Sequence, residues 1–131
     1  MTETVNPNMY PKMRVIAMKA LYAHLLTGKD IRKCVTELTR TNNIPGYLYS
    51  LTVGTVECQQ EYEEKISALL RKDWSLDRLS KLDLAILLMS MHEILDHMEP
   101  KAPVINEAVN LAKKYSGDDS YKLINGILDR V

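Results

Sequence analysis

The stretch "LDLAILLMSMHEILDHM", which begins at Leu82, is apolar on nearly every side. A helix on the surface of a globular protein keeps one apolar stripe and one polar face, whereas a helix that is apolar all round is enclosed by other elements. The strongly apolar part of this stretch is only about ten residues long, which is too short to cross a bilayer. The stretch therefore predicts the central helix of a helical bundle.

The rest of the chain supplies helices that could surround this one. Only 5 Gly and 5 Pro occur among 131 residues, so long segments are free of helix breakers. Apolar residues recur at three-and-four spacing from Pro11 to the end, as in amphipathic helices. We predict an all-α fold of about seven helical segments without strands. A flexible segment over residues 1–10 would precede a single helical domain over residues 11–131.

Several single residues mark where these helices end, begin or approach one another. Gly28 is expected to stop the first helix, and Asp30 to cap the second. Gly54 lies inside a long helical pattern, where glycine costs about 1 kcal/mol relative to alanine. We expect it there because another helix comes close. Ser80 and Asp83 resemble a capping box at the start of the central helix, with Asp in place of Glu.

The charges are balanced overall but unevenly distributed along the chain. Residues 1–40 hold seven Lys or Arg against three Asp or Glu, and residues 41–100 hold five against ten, within a formal net charge of +0. Such a chain can present a basic face to an anionic partner and an acidic face to a basic partner. The alternative, that the asymmetry is scatter, stays open at this stage.

No catalytic or metal-binding motif is visible in the sequence. A Gly-rich phosphate loop and a nucleophile elbow are both missing, and Cys34 and Cys58 occupy apolar positions in helical patterns. In "HEILDH", His92 and His97 are five residues apart. On a continuous helix this spacing rotates the second ring by about 140° beyond a full turn, so a shared zinc ion is not expected. We expect no cofactor and no enzymatic activity.

The C-terminal third carries a recognisable motif. "INEAVNLAKKYS" followed by "SYKLINGILDRV" resembles the C-terminal signature of the NusB family of bacterial transcription antitermination factors. "AMKALYAHLL", "YLYSLTVGTVE" and "WSLDRLSKLDLAILLMSMHEIL" are similar to earlier segments of that family. The resemblance extends from about Pro11 to Val131. It implies two packed helical subdomains and a cytoplasmic protein.

The resemblance also implies partners. Members of this family bind boxA RNA, a single-stranded element of ribosomal RNA operon transcripts. They do so together with NusE, a small-subunit ribosomal protein, and join the RNA polymerase elongation complex through other Nus factors. Whether this chain is a monomer or a homodimer stays open.

Residues implied in RNA binding come from both ends of the chain. They lie in the first helix and in the region around the start of the last helix, and they are Lys12, Arg14, Lys19, Asp119, Ser120, Lys122 and Leu123. The turn before the last helix also includes Asp118. The family's N-terminal run of arginines is reduced here, which motivates an alternative, a protein-interaction scaffold with weakened or lost RNA binding. Tyr10 falls within that run and would either stack on a base or pack over the helix start.

The implied contacts with NusE are Tyr22, Asp77 and Asp83. Three further polar residues, Asn106, Glu107 and Asn125, lie in the signature motif itself. We expect the two amides to be buried and to satisfy backbone groups between packed helices, since a buried amide needs partners; direct contact with a ligand is the alternative. Gly126 is expected to let these helices approach.

Overall fold

The computed structural model describes residues 10–72, 74–117 and 119–131, and over these residues it is helical without strands. The elements, in chain order, are α1 (Tyr10–Thr27), α2 (Ile31–Thr39), α3 (Gly46–Tyr49), a π-helical turn (Ser50–Gly54), α4 (Thr55–Glu57), α5 (Gln59–Leu69), a 3-10 turn (Leu76–Arg78), α6 (Lys81–Leu95), α7 (Lys101–Tyr115) and α8 (Ser120–Asp129). The elements from α3 to α5 follow one another almost without a break. Counted as one helical stretch, they bring the described chain to the seven helical segments predicted.

The central position of α6 is confirmed. This helix contacts α1, α5, α7 and α8, and Asp83 to Ile94 form an unbroken run of buried residues within it. Together, α1, α2 and α3 pack on one side, whereas α7 and α8 pack against each other and against α6 on the other. One apolar cluster continues through both groups. The all-α fold with two packed helical groups is therefore as predicted.

The predicted helix ends are also confirmed. Gly28 adopts a φ of 77°, which favours glycine, and its amide donates to His24 O at 2.9 Å. Asp30 caps α2 by accepting a hydrogen bond from Arg32 N at 2.8 Å. Ser80 Oγ accepts from Asp83 N at 3.0 Å, which is half of the predicted capping box. The other half is absent among the described contacts, since the Asp83 carboxylate bonds elsewhere.

Gly54 provides the predicted close approach between helices. A Cβ built at this residue would lie 2.9 Å from His92 Nε2 on α6. By contrast, a Cβ at Gly126 would meet nothing within 4 Å, so the expectation that Gly126 allows α7 and α8 to approach is wrong. The two glycines look alike in the sequence, but only one faces a neighbouring helix.

The rings of His92 and His97 lie together, contrary to the prediction, because α6 ends between these residues. Its last residue is Leu95, and His97 N donates to His92 O at 3.1 Å in a wider turn. The chain then reverses at Met98, whose φ is 56°. As a result, the two imidazole rings have centroids only 5.0 Å apart.

The predicted flexible segment lies outside the described residues except for Tyr10, which begins α1. Cys34 is buried and Cys58 half-buried, and both are free thiols. Among the described residues, no helix is long and apolar enough to cross a membrane.

Candidate nucleic-acid and partner interface

The turn between α7 and α8 is anchored on Asp83, at the start of α6. Asp83 is only 6% exposed. Its Oδ1 accepts a hydrogen bond from Ser116 Oγ at 2.5 Å, and its Oδ2 accepts one from Ser120 Oγ at 2.9 Å. Both serines flank the turn that was expected to lie near RNA. Because one carboxylate holds both hydroxyls, it determines how α7 turns into α8.

Lysines and tyrosines alternate on the surface beside this turn. Lys113 Nζ lies 4.8 Å from the Tyr121 ring centroid, and Lys122 Nζ lies 5.9 Å from the same ring. Lys114 Nζ lies 5.3 Å from the Tyr115 ring centroid. Each such contact at an exposed site is worth about 0.5–1 kcal/mol. The contacts hold cations next to aromatic faces without removing their charge.

Lys19 brings α1 into the same surface. Its Nζ lies 5.8 Å from the Tyr115 ring centroid, so the first helix and the end of α7 share one aromatic residue. We call this region the lysine–tyrosine surface; it consists of Lys19, Lys113, Lys114, Tyr115, Tyr121 and Lys122. The lysines are exposed and the tyrosines half-buried. Such a combination can contact phosphates through the ammonium groups and bases through the rings.

Two clefts adjoin the lysine–tyrosine surface on either side of α8. One, of about 430 Å³, includes Trp74, Lys122 and Leu123 in its lining. The other, of about 450 Å³, includes Lys113 and Tyr121. Lys122 is 67% exposed, and its Nζ is 3.6 Å from Asp119 Oδ1, an ion pair in solvent that costs little to open. Lys122, Leu123 and Asp119 therefore lie where a ligand on this surface could reach them.

Asn106 and Asn125 line the second cleft. The expectation that these amides are buried between helices is wrong, since both are exposed, while Glu107 is half-buried. Asn106 and Asn125 lie on the solvent-exposed sides of α7 and α8. Their amides can therefore contribute to a surface rather than to the core.

Arg14 occupies a different environment from the other predicted RNA contacts. Its Nε and Nη2 donate to Glu93 Oε2 at 2.9 Å and 2.6 Å, and Tyr47 Oη donates to the same oxygen at 2.8 Å. The Arg14 side chain is 14% exposed, and that of Glu93 2%. Burial works against the charge of Arg14, but the hydrogen bond and charge of Glu93 outweigh it and raise the pKa of the guanidinium. A phosphate contact by Arg14 would require this buried pair to open.

Lys12, two residues before Arg14, is exposed. Tyr10 packs on Tyr47, with ring centroids 4.7 Å apart. This contact matches the second of the two alternatives for Tyr10, packing over the helix start. Of the two cations in the reduced N-terminal run, Arg14 is paired with Glu93 and Lys12 stays on the surface.

Comparison with known proteins agrees with these features. The sequence profile of the NusB family matches residues 11–131. The chain belongs to the NusB family. The transcription antitermination protein NusB of Lacticaseibacillus casei (strain BL23) is 40% identical over 120 residues, which are 88% of each chain. The solved structure of T. maritima NusB superposes with a TM-score of 0.82 at 30% identity, over 99% of this chain and 91% of that one.

A further structural neighbour is a chain from a crystal structure of the antitermination factors NusB and NusE in complex with dsRNA. It superposes with a TM-score of 0.83 and 24% identity, over 95% of this chain and 96% of that one. At this identity the likeness shows the NusB fold alone.

The positions implied for a NusB–NusE contact differ in accessibility. Tyr22 is 37% exposed on α1, and Asp77 is exposed in the 3-10 turn. Asp83 is buried, with both oxygens engaged by serines. Tyr22 and Asp77 are therefore accessible to a partner without a structural change. The Asp83 carboxylate is not, because it positions the α7–α8 turn.

Sequence reasoning missed four residues of the lysine–tyrosine surface: Lys113, Lys114, Tyr115 and Tyr121. The signal was present in "KKY" and "SYK", where basic and aromatic residues adjoin on both sides of the turn. The sequence alone does not show that these segments meet Lys19 of α1, since that contact joins distant helices. Asp118, which belonged to the predicted turn, lies outside the described residues.

Proposed function

We propose that this chain is a transcription antitermination factor that binds boxA-type RNA of ribosomal RNA operon transcripts together with NusE. In this role it promotes processive transcription by the RNA polymerase elongation complex in the cytoplasm. Membership in the NusB family supports antitermination. The observation that carries the RNA-binding part is the lysine–tyrosine surface, with four lysines arranged around two tyrosines.

The chemistry of this surface favours a single-stranded nucleic acid. Each phosphate neutralised by lysine releases counterions, and an aromatic ring can stack on any unpaired base. Lys122 and Leu123 extend the surface into the cleft beside Trp74, which is 40% exposed. The cleft offers an apolar wall and an indole ring to a base whose phosphate lies on Lys122.

The NusE part of the proposal rests on Tyr22 and Asp77. Both side chains are exposed, and Asp77 lies in the acidic middle section of the chain, as a basic ribosomal protein would require. The crystal structure of NusB and NusE with dsRNA has the same fold as this chain, and we extend these two kinds of partner to this chain as part of the proposal.

The direct test is a fluorescence titration of labelled boxA RNA, with and without NusE, at several salt concentrations. We expect NusE to tighten binding. Lys113→Ala and Lys122→Ala should each make the negative slope of log K against log salt shallower by about 0.7, the value for one phosphate of a single strand. Lys65→Ala, an exposed lysine on α5, is the matched control and should keep the wild-type slope. Wild-type slopes in both variants would contradict the proposed surface.

A second candidate function is a protein-interaction scaffold with weakened RNA binding. The observation that favours it is the ion pair of Arg14 with Glu93, which removes one cation from an already reduced basic run. This candidate predicts that NusE binds the chain while boxA RNA does not, with or without NusE. The same titration separates the two functions.

A further inference from the structure

Three side chains with metal-binding atoms meet where α6 ends. His92 belongs to the last turn of α6, Asp96 follows as its C-terminal cap, and His97 is the next residue. One ligand atom from each lies within 4.8 Å of the others. His92 Nε2 is already 3.5 Å from Asp96 Oδ2. The end of the helix has therefore gathered two imidazoles and a carboxylate that belong to neither proposed interface.

The two imidazoles are directed at the same place. Ser50 Oγ, at the first position of the π-helical turn, lies 3.1 Å from His92 Nε2 and 2.7 Å from His97 Nε2. Both Nε2 atoms thus converge on one hydroxyl. A converging pair of ring nitrogens with a carboxylate beside it is the donor set of many zinc sites.

His92 is held by its other nitrogen, as the histidines of metal sites usually are. The Tyr62 hydroxyl lies 2.8 Å from His92 Nδ1 in the protein interior. When the Nδ1–H group of His92 donates this hydrogen bond to Tyr62 Oη, the lone pair of Nε2 is left facing Asp96 and His97. A partner on the second nitrogen that fixes ring orientation and tautomer is a recurring feature of metal-binding histidines.

The backbone around the cluster is unusual in a way that makes room for it. Gly54 closes the π-helical turn, and any side chain there would press on His92 Nε2, since a Cβ would lie 2.9 Å away. Single π-helical turns within α-helices often occur at functional sites. Here the turn places Ser50 and Gly54 opposite the two histidines.

We propose that His92, Asp96 and His97 bind a divalent transition metal ion, for which Zn²⁺ is the best match. Zinc accepts two imidazole nitrogens and a carboxylate oxygen, and its fourth position can take water or the Ser50 hydroxyl. Its ligand distances place tetrahedral donor atoms about 3.3 Å apart. Because the ligand atoms lie within 4.8 Å of one another, they must draw together by at most about 1.5 Å. Asp96, which is 56% exposed, and His97 both follow the last residue of α6, so they can make this movement while His92 stays in place.

A bound ion would fasten the turn after α6 to the π-helical turn. His97 already packs on Tyr47, with ring centroids 5.5 Å apart. The site lies at the opposite end of α6 from Asp83 and the α7–α8 turn. It is independent of the proposed RNA and NusE contacts, so its test does not depend on them.

The test is a titration of the intact chain with Zn²⁺ by calorimetry, and with Co²⁺ by visible absorption. We expect one equivalent to bind. The Co²⁺ spectrum should show four-coordinate d–d bands without a thiolate charge-transfer band, because the ligands are nitrogen and oxygen. His97→Gln and Asp96→Asn should each weaken binding about tenfold or more, as is seen even for changes around metal ligands. Zn²⁺ should also raise the Tm of the wild-type chain more than that of His97→Gln.

Two controls use residues elsewhere in the chain. His24 is the third of only three histidines and bonds Lys29 O at the end of α1, so His24→Gln should bind metal like the wild type. Cys34→Ser, on α2, should also leave the affinity unchanged. His97 and Asp96 are chosen for substitution because they lie nearer the surface than the buried His92. Absence of saturable binding, or affinities in His97→Gln and Asp96→Asn equal to that of His24→Gln, would overturn the proposal.

Discussion

Ser120 Oγ donates a hydrogen bond of 2.9 Å to Asp83 Oδ2, and this contact joins the start of α8 to the start of α6. With Ser116 on the other oxygen, a single buried carboxylate organises the turn beside the lysine–tyrosine surface. The two residues were expected to contact different partners, Asp83 the NusE protein and Ser120 the RNA. In this structure they contact each other.

Asp83→Ala should therefore destabilise the fold by about 1–3 kcal/mol, because two serine hydroxyls lose their acceptor in a buried site. Urea unfolding monitored by circular dichroism measures this free energy. Asp77→Ala is the control, since this exposed carboxylate should change stability by no more than about 0.5 kcal/mol. Equal unfolding midpoints for both variants would show that the Asp83–serine contacts contribute nothing in solution.

Asp77→Lys should weaken NusE binding without loss of stability. A lysine in place of a carboxylate that faces a basic protein introduces like-charge repulsion, and we expect about a tenfold loss of affinity, or 1.4 kcal/mol. Calorimetric titration with purified NusE gives the affinity. Glu64→Lys, an exposed change of the same kind on α5, should bind as the wild type does. If the two variants bind NusE equally well, Asp77 does not belong to the interface.

Gly54→Ala and Gly126→Ala should change stability in opposite directions. At Gly54 the new methyl group would press on a ring whose two nitrogens are both held, by Ser50 and by Tyr62, and overpacking of this kind costs about 1–3 kcal/mol. At Gly126 the methyl group meets open space, so the better helix propensity of alanine should stabilise α8 by about 0.5–1 kcal/mol. Thermal or urea unfolding of the two variants measures the change in the free energy of unfolding that each substitution causes. Stabilisation by both substitutions would mean that His92 does not approach Gly54 in solution.

Arg14→Ala should destabilise the protein by about 3 kcal/mol, since it leaves the Glu93 carboxylate buried without its cation. Lys12→Ala, two residues earlier and exposed, should leave stability unchanged. Urea unfolding compares the stabilities of the two variants. The boxA titration then shows whether Lys12 or Arg14 contributes to RNA affinity. A wild-type unfolding midpoint for Arg14→Ala would contradict the buried ion pair.

Local patterns in the sequence were sufficient for most of the fold. The apolar sequence of α6, the cap at Asp30 and the stop at Gly28 each depend on residues within a few positions of one another. Helix propensity, capping and apolar periodicity operate over this range. The family resemblance, which also resides in short motifs, was confirmed by the match of the NusB family profile to residues 11–131.

The arrangement of the polar side chains depended on contacts between distant segments. Arg14 and Glu93 are 79 residues apart, and Ser120 and Asp83 are 37 apart; nothing in the local sequence pairs them. His92 and His97 illustrate the same point at short range, because their rings meet only where α6 ends and the chain reverses at Met98. By itself the sequence determined the helices, their apolar faces and the family. The tertiary structure decided which polar groups are buried as partners and which stay on the surface, since burial of a charge or hydroxyl depends on what the other helices bring to it.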